Sequence, residues 1–414
     1  MTTPDSAPPT AAHLAEQSPA EQPPAEQPPA ENGGVFNPGL YVIALKLLVN
    51  DRTKFYSVVI GITFAVFLMV QMTSMFAGIL QRSSSTVANI GASIWVMDPA
   101  VNTVANAIPL PNYVQDAVRS MDGVKYAVPL YMGGGLAKLA NGNYQSVSVI
   151  GLDDTSLYGR PDMEKGVIKD IYGENGFFVV NDSEYKKLNS PGIGASFEIK
   201  DHRAVIVGIA KVTSNGLFGV PTLYTTYNRA LQYLPQTRFT DAYVLVEPKT
   251  AADIPRIEAA VAKLGYLALT KDEFDARISS FYTWQTGIGA NIMLMCVISF
   301  IVGLSISGQT FYTFVLENID KFGALKAIGA QGRELVFIIM FQALFSGLVG
   351  YGLGVGLCSL VIEIARTTLP NYAALITLGD LALAFAMMLV IAAASSVIAA
   401  RKVLSIDPFE IFRD

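Results

Sequence analysis

The sequence predicts a membrane protein with four transmembrane α-helices and a large extracytoplasmic α+β domain between helices 1 and 2. The chain has 414 residues, of which 51% are hydrophobic and 15% are charged, and its mean hydropathy is +0.40. Soluble globular domains carry about 25% charged residues. Four long runs are almost free of charge, and one region of ordinary polarity separates the first run from the other three. This combination indicates an integral membrane protein with one large insertion.

The charged residues divide the chain into segments, and the nearest charged side chains give the bounds of the four spans. In order, the segments are a disordered Pro/Glu/Gln-rich cytoplasmic leader (1–37), a cytoplasmic juxtamembrane segment (38–54), TM1 (55–81), the extracytoplasmic α+β domain with its stalk (82–277), a long TM2 (278–316), a cytoplasmic loop or short helix (317–333), TM3 (334–362), a short external loop (363–379), TM4 (380–400) and a cytoplasmic tail (401–414).

The leader contains no Lys or Arg and repeats the motif PAEQP. Proline, glutamate, glutamine and alanine in a short repeat bury too little apolar surface to offset the entropy of ordering the chain. We therefore predict a solvated, partly polyproline-like leader, with docking to a partner as the alternative.

The charge-free runs are long enough to cross a bilayer. TM1 supplies about 27 residues, or about 40 Å of helix, for a hydrocarbon core of about 30 Å. TM2 supplies about 39 residues, or about 58 Å, so part of it must stand outside the membrane or bend. TM4, with about 20 residues, is just long enough to span.

Basic residues indicate the orientation of the spans. Three flanks carry three basic residues each, whereas the loop at 363–379 carries only Arg366. The three groups are Lys46, Arg52 and Lys54; Lys321, Lys326 and Arg333; and Arg401, Lys402 and Arg413. Because cytoplasmic flanks are enriched in Lys and Arg, both termini and the loop at 317–333 are predicted to be cytoplasmic, and the domain at 82–277 external.

The insertion at 82–277 alternates strand-like and helix-like segments. Six segments rich in β-branched and aromatic residues predict strands: ASIWVMD, VKYAVPLY, YQSVSVIGL, GFFVVND, RAVIVGIAKV and AYVLVEP. Residues 111–121 and 253–264 have a proline near their start and apolar residues at helical spacing. The Pro- and Gly-rich middle suggests an inserted unit and hence two lobes. The insertion holds 19 basic and 20 acidic residues, which gives no electrostatic reason to prefer an anionic or a cationic partner, and no nucleic-acid partner is expected.

The inventory of reactive side chains argues against an enzyme. The chain has two histidines, His13 and His202, and two cysteines, Cys296 and Cys358, which lie inside predicted spans. These four residues cannot assemble a His/Cys metal site of usual spacing. The Gly-Lys-Ser/Thr sequence of a nucleotide-binding loop does not occur. We therefore expect no catalytic residue, metal site or cofactor in this chain, and any ATPase activity in another chain.

The charged loop at 317–333 continues an apolar pattern with a residue at every third position: Leu316, Ile319, Phe322, Leu325 and Ile328. Such a stripe drifts by about 60° per step around a straight helix. A bend is therefore expected, with Gly323 as its predicted place, followed by a short helix over 324–329 and a turn at Gly329 and Gly332. Because Leu325 and Ile328 lie beside basic residues, the loop is either a docking surface or a solvated reversal at the lipid headgroups.

Residues 316–357, LENIDKFGALKAIGAQGRELVFIIMFQALFSGLVGYGLGVGL, resemble the C-terminal membrane region of the MacB–FtsX-like family of ABC transporter permeases. The end of the chain, AARKVLSIDPFEIFRD, is similar to the closing pattern of this family through Arg401, Pro408, Glu410 and Arg413. One span, a large external domain and three further spans also resemble the family layout. The segment VIVGIAKV is similar to the DevC-type exporter permease subgroup, whereas the proline-rich leader is outside the family pattern.

The resemblance implies a permease subunit of the bacterial cytoplasmic (inner) membrane that works with a separate ABC ATPase subunit, which binds the ATP. Further implied partners are a second permease protomer, forming a homodimer, and a periplasmic adaptor protein. The residues that match the ATPase-coupling motif are Glu317, Lys321, Gly323, Leu325, Lys326, Ala327, Gly329 and Ala330. Closure of the ATPases would be passed along the long TM2 to the external domain.

Three functions stay open on this resemblance. The first is ATP-driven export of a substrate, or its extraction from the outer leaflet or periplasm. The second is FtsX-type signalling, in which the same motion activates an external partner without transport. The third is a membrane-anchored binding or sensing module without an ATPase. The large external domain favours the first function, and the intact motif at 317–332 argues against the third.

TM3 carries small residues at four-residue spacing, which permits close contact between helices in a membrane. The residues are Ser346, Gly350 and Gly354 in one row, and Gly352 and Gly356 in another. Packing within one protomer is the first interpretation and a dimer seam the second. Gln71 and Gln342, which lie in or near apolar spans, are predicted to make interhelical hydrogen bonds.

Overall fold

The computed structural model describes residues 38–50, 52–212, 219–234, 241–369 and 372–404. The predicted leader at 1–37 lies outside the described residues, as do Pro408, Glu410 and Arg413 of the closing pattern.

The described residues form helices and strands whose bounds follow. The helices are α1 Pro38–Asn50, α2 Arg52–Ser83, α3 Ser85–Ile90, α4 Asn112–Arg119, α5 Tyr227–Tyr233, α6 Ile254–Lys263, α7 Lys271–Ser280, α8 Ile288–Glu317, α9 Ile319–Ala327, α10 Gly332–Thr368 and α11 Leu378–Leu404. The strands are β1 Ile94–Met97, β2 Val124–Lys138, β3 Tyr144–Leu152, β4 Asp162–Gly166, β5 Gly176–Val180, β6 Ser196–Ile199, β7 His202–Lys211, β8 Thr222–Thr226, β9 Tyr243–Pro248 and β10 Leu267–Thr270.

Four of these helices, α2, α8, α10 and α11, are long and apolar enough to cross a membrane. They have 32, 30, 37 and 27 residues, so each exceeds the roughly 20 residues that a bilayer requires. The four predicted spans therefore correspond to four helices. The last turns of α10 extend beyond the predicted end of TM3 at residue 362 into the predicted external loop.

The four helices pack as a closed bundle in which α2 and α11 each contact both α8 and α10. Small residues lie where the helices meet. A side chain at Gly303 of α8 would collide with Ala65 of α2, and a side chain at Gly347 of α10 would collide with Met388 of α11. Close backbone approach thus takes the place of a hydrophobic driving force that lipid cannot supply.

A further helix, α1, precedes the first span, where the sequence analysis predicted only a juxtamembrane segment. Ala44 and Leu48 of this helix are buried against the bundle. The side chain Nε2 of Gln342 in α10 donates a hydrogen bond of 2.9 Å to the carbonyl oxygen of Ala44. The predicted interhelical role of Gln342 is confirmed. Gln71 of α2 likewise donates to the Tyr372 hydroxyl and accepts a bond of 3.5 Å from Cys358 of α10.

The sheet domain, residues 84–286, is built around one ten-stranded sheet with the order β10-β1-β9-β2-β3-β8-β5-β7-β4, and β6 pairs with β2 and β7. The long strand β2 belongs to both halves, because its first part pairs with β9 and its second part with β3. Helices α4 and α6 cover one face of the first half, whereas α5 packs on the second half. The middle of the insertion therefore forms a half of its own, in agreement with the two-lobe expectation.

All six predicted strands and both predicted helices of the insertion are present. Strands β4, β6, β8 and β10 were not predicted from the sequence. These strands have four or five residues, and β4, with the sequence DMEKG, is almost entirely polar. Pairing with neighbouring strands, rather than local propensity, places such short segments in a sheet.

The predicted long TM2 at 278–316 is not one continuous helix. Helix α7 ends at Ser280, a π-helical turn follows over 281–285, and α8 begins at Ile288. Gly287 between them has φ of +76°, a left-handed conformation that side chains disfavour. The sequence left two explanations for the excess length of TM2, namely a part outside the membrane or a bend. Both apply, because α7 belongs to the sheet domain and the chain breaks before α8.

Candidate functional site

The 317–333 loop stands at the end of the bundle remote from the sheet domain, and it begins with a break at Asn318. Asn318 is buried, and its Nδ2 donates a hydrogen bond of 2.9 Å to the carbonyl oxygen of Phe314. Its Oδ1 accepts a bond of 2.7 Å from Nζ of Lys321. The predicted bend at Gly323 is therefore wrong. An asparagine side chain competes for backbone hydrogen bonds. The break at Asn318 therefore comes five residues before Gly323.

Helix α9 runs from Ile319 to Ala327 and thus begins before the predicted 324–329 helix. Gly323 lies inside it and is buried. After α9, Gly329 adopts φ of +108°, and the backbone N–H of Ala330 bonds to the carbonyl oxygen of Leu325 at 2.9 Å. The predicted turn at Gly329 is confirmed, since only glycine adopts this conformation without strain.

The apolar stripe of the loop divides into an inner and an outer part. Phe322 is fully buried, and Leu325 and Ala330 pack against the core of the bundle. Ile328 instead has 86% of its surface exposed. Of the two apolar residues predicted to dock, Leu325 therefore anchors the loop and Ile328 projects from it.

The remaining predicted coupling residues differ in how exposed they are. Glu317, Lys321, Ala327 and Gly329 are exposed, and Lys326 is half-buried. Exposed Asp320 and Arg333 lie in the same segment. The outer surface of the loop consequently combines one large apolar side chain with charged groups of both signs.

One ion pair ties the loop to the start of the first span. The carboxylate of Glu317 pairs with the ammonium group of Lys54 in α2. From the sequence, Lys54 was used only for the orientation of the spans and Phe322 only for the apolar stripe, and Asn318 was given no role. A signal for the ion pair was nonetheless present, since Lys54 is the last charge before TM1 and Glu317 is the first after TM2, at the same predicted end of the bundle.

The two rows of small residues on α10 have different surroundings. Ser346, Gly350 and Gly354 are buried. Added side chains at the two glycines would meet Ile62, Thr63 and Val66 of α2 at about 2.8 to 2.9 Å. Gly352 and Gly356 are exposed, with nothing within 4 Å of an added Cβ. The first row therefore packs within the protomer, and the second lies on the outer face of the bundle.

At the opposite end of α8, the chain is fastened to the sheet domain. Phe274, Ile278 and Tyr282 belong to the core beneath the sheet. The guanidinium group of Arg277 donates to the carbonyl oxygens of Val101 at 2.8 Å and Pro99 at 2.7 Å. Helix α7 and the turn that follows it are thus held to the sheet domain by both apolar packing and charge-assisted hydrogen bonds.

The end of α2 meets an acidic corner of the sheet domain. Arg82 donates a hydrogen bond of 3.2 Å to the carbonyl oxygen of Tyr372 and interacts electrostatically with Asp182 and Glu184. Glu184 is buried and pairs with Lys187 at 2.5 Å. Burial raises the pKa of Asp182 to about 6, because desolvation disfavours its charged form.

The residues considered for other chemistry are separated from one another. His202 lies in the turn between β6 and β7, with its ring 5.0 Å from that of Tyr233. Cys296 and Cys358 are free thiols in α8 and α10. Among the described residues, no group of three or more His, Cys, Asp or Glu side chains could hold a metal ion.

Comparison with known proteins relates both parts of the chain to transport proteins. A family model described as the MacB-like periplasmic core domain matches residues 58–264, and one described as the FtsX-like permease C-terminal region matches residues 292–408. An uncharacterized ABC transporter permease of Mycobacterium tuberculosis is 23% identical over 346 residues, which cover 82% of this chain and 90% of that protein. A putative hemin transport system permease protein of Staphylococcus epidermidis is 21% identical over 369 residues, which cover 86% and 96% respectively.

Two solved structures are each similar to a part of this chain. The periplasmic region of MacB from Actinobacillus actinomycetemcomitans shares 12% identity, with a TM-score of 0.34, over 45% of this chain and 92% of that one. The extracellular domain of the noncanonic ABC-type transporter YknZ from Gram-positive bacteria shares 14% identity, with a TM-score of 0.33, over 43% and 99% respectively.

Proposed function

Because this chain belongs to the family of ABC transporter permeases with a MacB-like periplasmic core domain and an FtsX-like C-terminal region, we propose that a separate ATPase chain drives it to export or extract a substrate. It lies in the bacterial cytoplasmic membrane, with both termini and the 317–333 loop in the cytoplasm. ATP is bound by the partner, and the permease contributes motion.

The observation that carries this proposal is the exposed Ile328 on a loop whose Phe322 and Leu325 pack against the core of the bundle. A lone apolar side chain with charged neighbours is suited to a small pocket on a protein partner, where such anchors contribute most of the binding energy. The charged rim then orients the partner and excludes others.

The route of motion follows the contacts at the two ends of α8. The Lys54–Glu317 pair joins the docking loop to α2, and the Arg277 contacts join α7 to the sheet domain. A push on the loop therefore acts on two transmembrane helices together. The break at Gly287 converts that push into a change of angle between the bundle and the sheet domain.

The proposal extends to the assembly of the permease and to its substrate. A second protomer completes a homodimer, with a periplasmic adaptor as a further partner. The match to the MacB-like core domain over 58–264 favours transport over FtsX-type signalling. Hemin, named for the staphylococcal relatives, is one candidate substrate, since it is largely apolar and carries acid groups.

The test is retention of the ATPase by purified permease that carries Ile328→Glu. A charge in place of the apolar anchor should reduce co-purified ATPase about tenfold, because loss of such a contact costs about 1–2 kcal/mol or more. Ile193→Glu is the matched control, since Ile193 is an exposed isoleucine of the sheet domain. A double change at Leu325 and Lys326 is less informative, because Leu325 also packs against the bundle.

Loss of the ATPase in Ile328→Glu, with retention in Ile193→Glu, supports docking through this loop. Equal retention by both variants would show that the loop is only a reversal, and the proposed coupling would then be wrong.

A further inference from the structure

A cavity of about 790 Å³ lies between the second half of the sheet and the ends of the transmembrane segments. Its wall includes Arg82 and Ser83, the last two residues of α2, and Tyr282 in the π-helical turn before α8. The opposite wall is formed by β2, β3 and β8. The cavity has the size of small-molecule sites, which range over about 300–1,000 Å³.

The strand register explains why this space is open. Met132, Ile150 and Tyr224 lie side by side on β2, β3 and β8, and they fill the space beneath the sheet. Two residues further on, the corresponding positions are Gly134, Ser148 and Thr222. Alternate residues of a strand share one face, so both rows lie on the same face of the sheet. The large side chains of the first row fill the space next to them, whereas the small residues of the second row leave a cavity beside α3.

The wall carries hydroxyl groups and two cations on an otherwise apolar surface. Arg82 and Lys200 are the charged residues of the wall, and no carboxylate belongs to it within the part of the chain that the structure describes. Nη1 of Arg82 is buried and has no hydrogen-bond partner among the described residues, and the nearby Asp182 and Glu184 interact with its charge from outside the wall. A buried, unsatisfied donor costs free energy that an anionic ligand could recover.

We propose that this cavity binds a single-chain anionic amphiphile, with its acid group toward Arg82 and Lys200 and its apolar chain along β2 and β3. The cavity lies where α2 leaves its apolar span, so the ligand enters from the outer leaflet of the membrane. Binding does not depend on the proposed function. Its assignment as the transported or sensed ligand rests on that function.

Gly134 allows a direct test of the cavity. An added Cβ there would meet only the carbonyl oxygen of Val147, at 4.0 Å, and the backbone of Gly134 has ordinary extended geometry. Gly134→Leu should therefore fill the space without distorting the strand. Gly192→Leu is the matched control, because Gly192 is exposed and has nothing within 4 Å of an added Cβ.

The probe is dansylated undecanoic acid, whose fluorescence rises in an apolar site, added to the full-length chain in phosphatidylcholine nanodiscs. We expect saturable binding above that of empty nanodiscs, weakened at least tenfold in Gly134→Leu and unchanged in Gly192→Leu. Wild-type affinity in Gly134→Leu would overturn the proposal, as would a wild-type signal equal to that of empty nanodiscs.

The charge requirement is tested separately with exposed Lys200, so that the result does not depend on folding of the glycine variant. Lys200→Gln should weaken binding of the acid about threefold and leave binding of its methyl ester unchanged. Lys263→Gln, on the outside of α6, is the control. Equal binding of acid and ester by the wild type would overturn an anionic ligand.

The source of the ligand is tested by competition. Lysophosphatidylglycerol incorporated into the nanodisc bilayer should displace the probe, and failure to displace it would overturn entry from the membrane. Measuring ATPase retention on the same samples separates the two proposals. Absent probe binding with intact Ile328-dependent docking refutes only the cavity site, and probe binding without such docking refutes only the proposed coupling.

Discussion

Some residues of the 317–333 loop hold it against the bundle, and one projects from it. Asn318 ends α8 with a side-chain hydrogen bond to the preceding turn, and Phe322 and Leu325 hold α9 against the bundle. Ile328, three residues beyond Leu325, is exposed. The identity of the exposed residue therefore depends on where the helix breaks, and a break at Gly323 would have exposed a different side.

The two glycine rows of α10 make a prediction at the residue scale. Gly354→Leu should destabilise the protomer by about 1–3 kcal/mol, because its side chain would enter the space of the Thr63 carbonyl and Val66. Gly352→Leu, on the exposed face, should have little effect on stability. The measurement is the thermal unfolding temperature of each purified variant.

Equal destabilisation by the two leucines would contradict the packing of Gly354 within the protomer. A change of oligomeric state in Gly352→Leu alone would assign the exposed row to the interface of the proposed homodimer.

At the scale of elements, the connection α7–π-turn–α8 links the two halves of the molecule. Helix α7 starts with a capping box, in which the backbone N–H and hydroxyl of Thr270 both bond to Glu273 at 2.8 Å. Its far side packs against the aromatic core of the sheet domain, where the rings of Trp95 and Phe274 are 5.6 Å apart. The firmly held α7 and the membrane helix α8 therefore meet at a single left-handed residue, Gly287.

Gly287→Ala should lower stability by about 1–2 kcal/mol, since a left-handed conformation is unfavourable for a residue with a Cβ. Because an added Cβ there meets nothing within 4 Å, the cost is conformational rather than steric. Gly287→Asn should recover part of the loss, as asparagine tolerates this conformation. The measurement is thermal unfolding in detergent.

The matched control is Gly356→Ala, which lies inside a helix with open surroundings and should be neutral or slightly stabilising. If Gly287→Ala unfolds at the wild-type temperature, the break between α7 and α8 does not require a left-handed residue.

At the scale of the whole molecule, a soluble-like sheet domain is inserted between the first and second of four membrane helices. Its two halves are joined through β2, and its two ends continue directly into α2 and α8. Any rotation of these helices is therefore transmitted to both ends of the domain. The charged 317–333 loop lies at the far end of the same helices.

Cysteine labelling tests the predicted orientation in cells. In a background of Cys296→Ala and Cys358→Ala, a membrane-impermeant maleimide should label Tyr144→Cys of the sheet domain in intact cells. It should label Ile328→Cys only after permeabilisation, with the permease expressed without an ATPase. Both positions are well exposed. Labelling of Ile328→Cys in intact cells would reverse the orientation.

Much of the fold was predictable because it depends on local composition. Charge-free runs predicted the four spans, and β-branched segments such as YQSVSVIGL predicted strands with the observed bounds. The candidate site was predictable only in part. Spacing indicated that Leu325 and Ile328 belong to one loop, but it could not separate the buried residue from the exposed one, since that depends on the neighbouring helices.

The sequence by itself determined the four spans, their predicted orientation and the inserted α+β domain, because length, charge and periodicity act along the chain. The tertiary structure alone decided the Lys54–Glu317 pair, the division of the loop into anchor and projection, and the cavity beside Gly134. These features join residues that are far apart in sequence, and only packing in three dimensions brings them together.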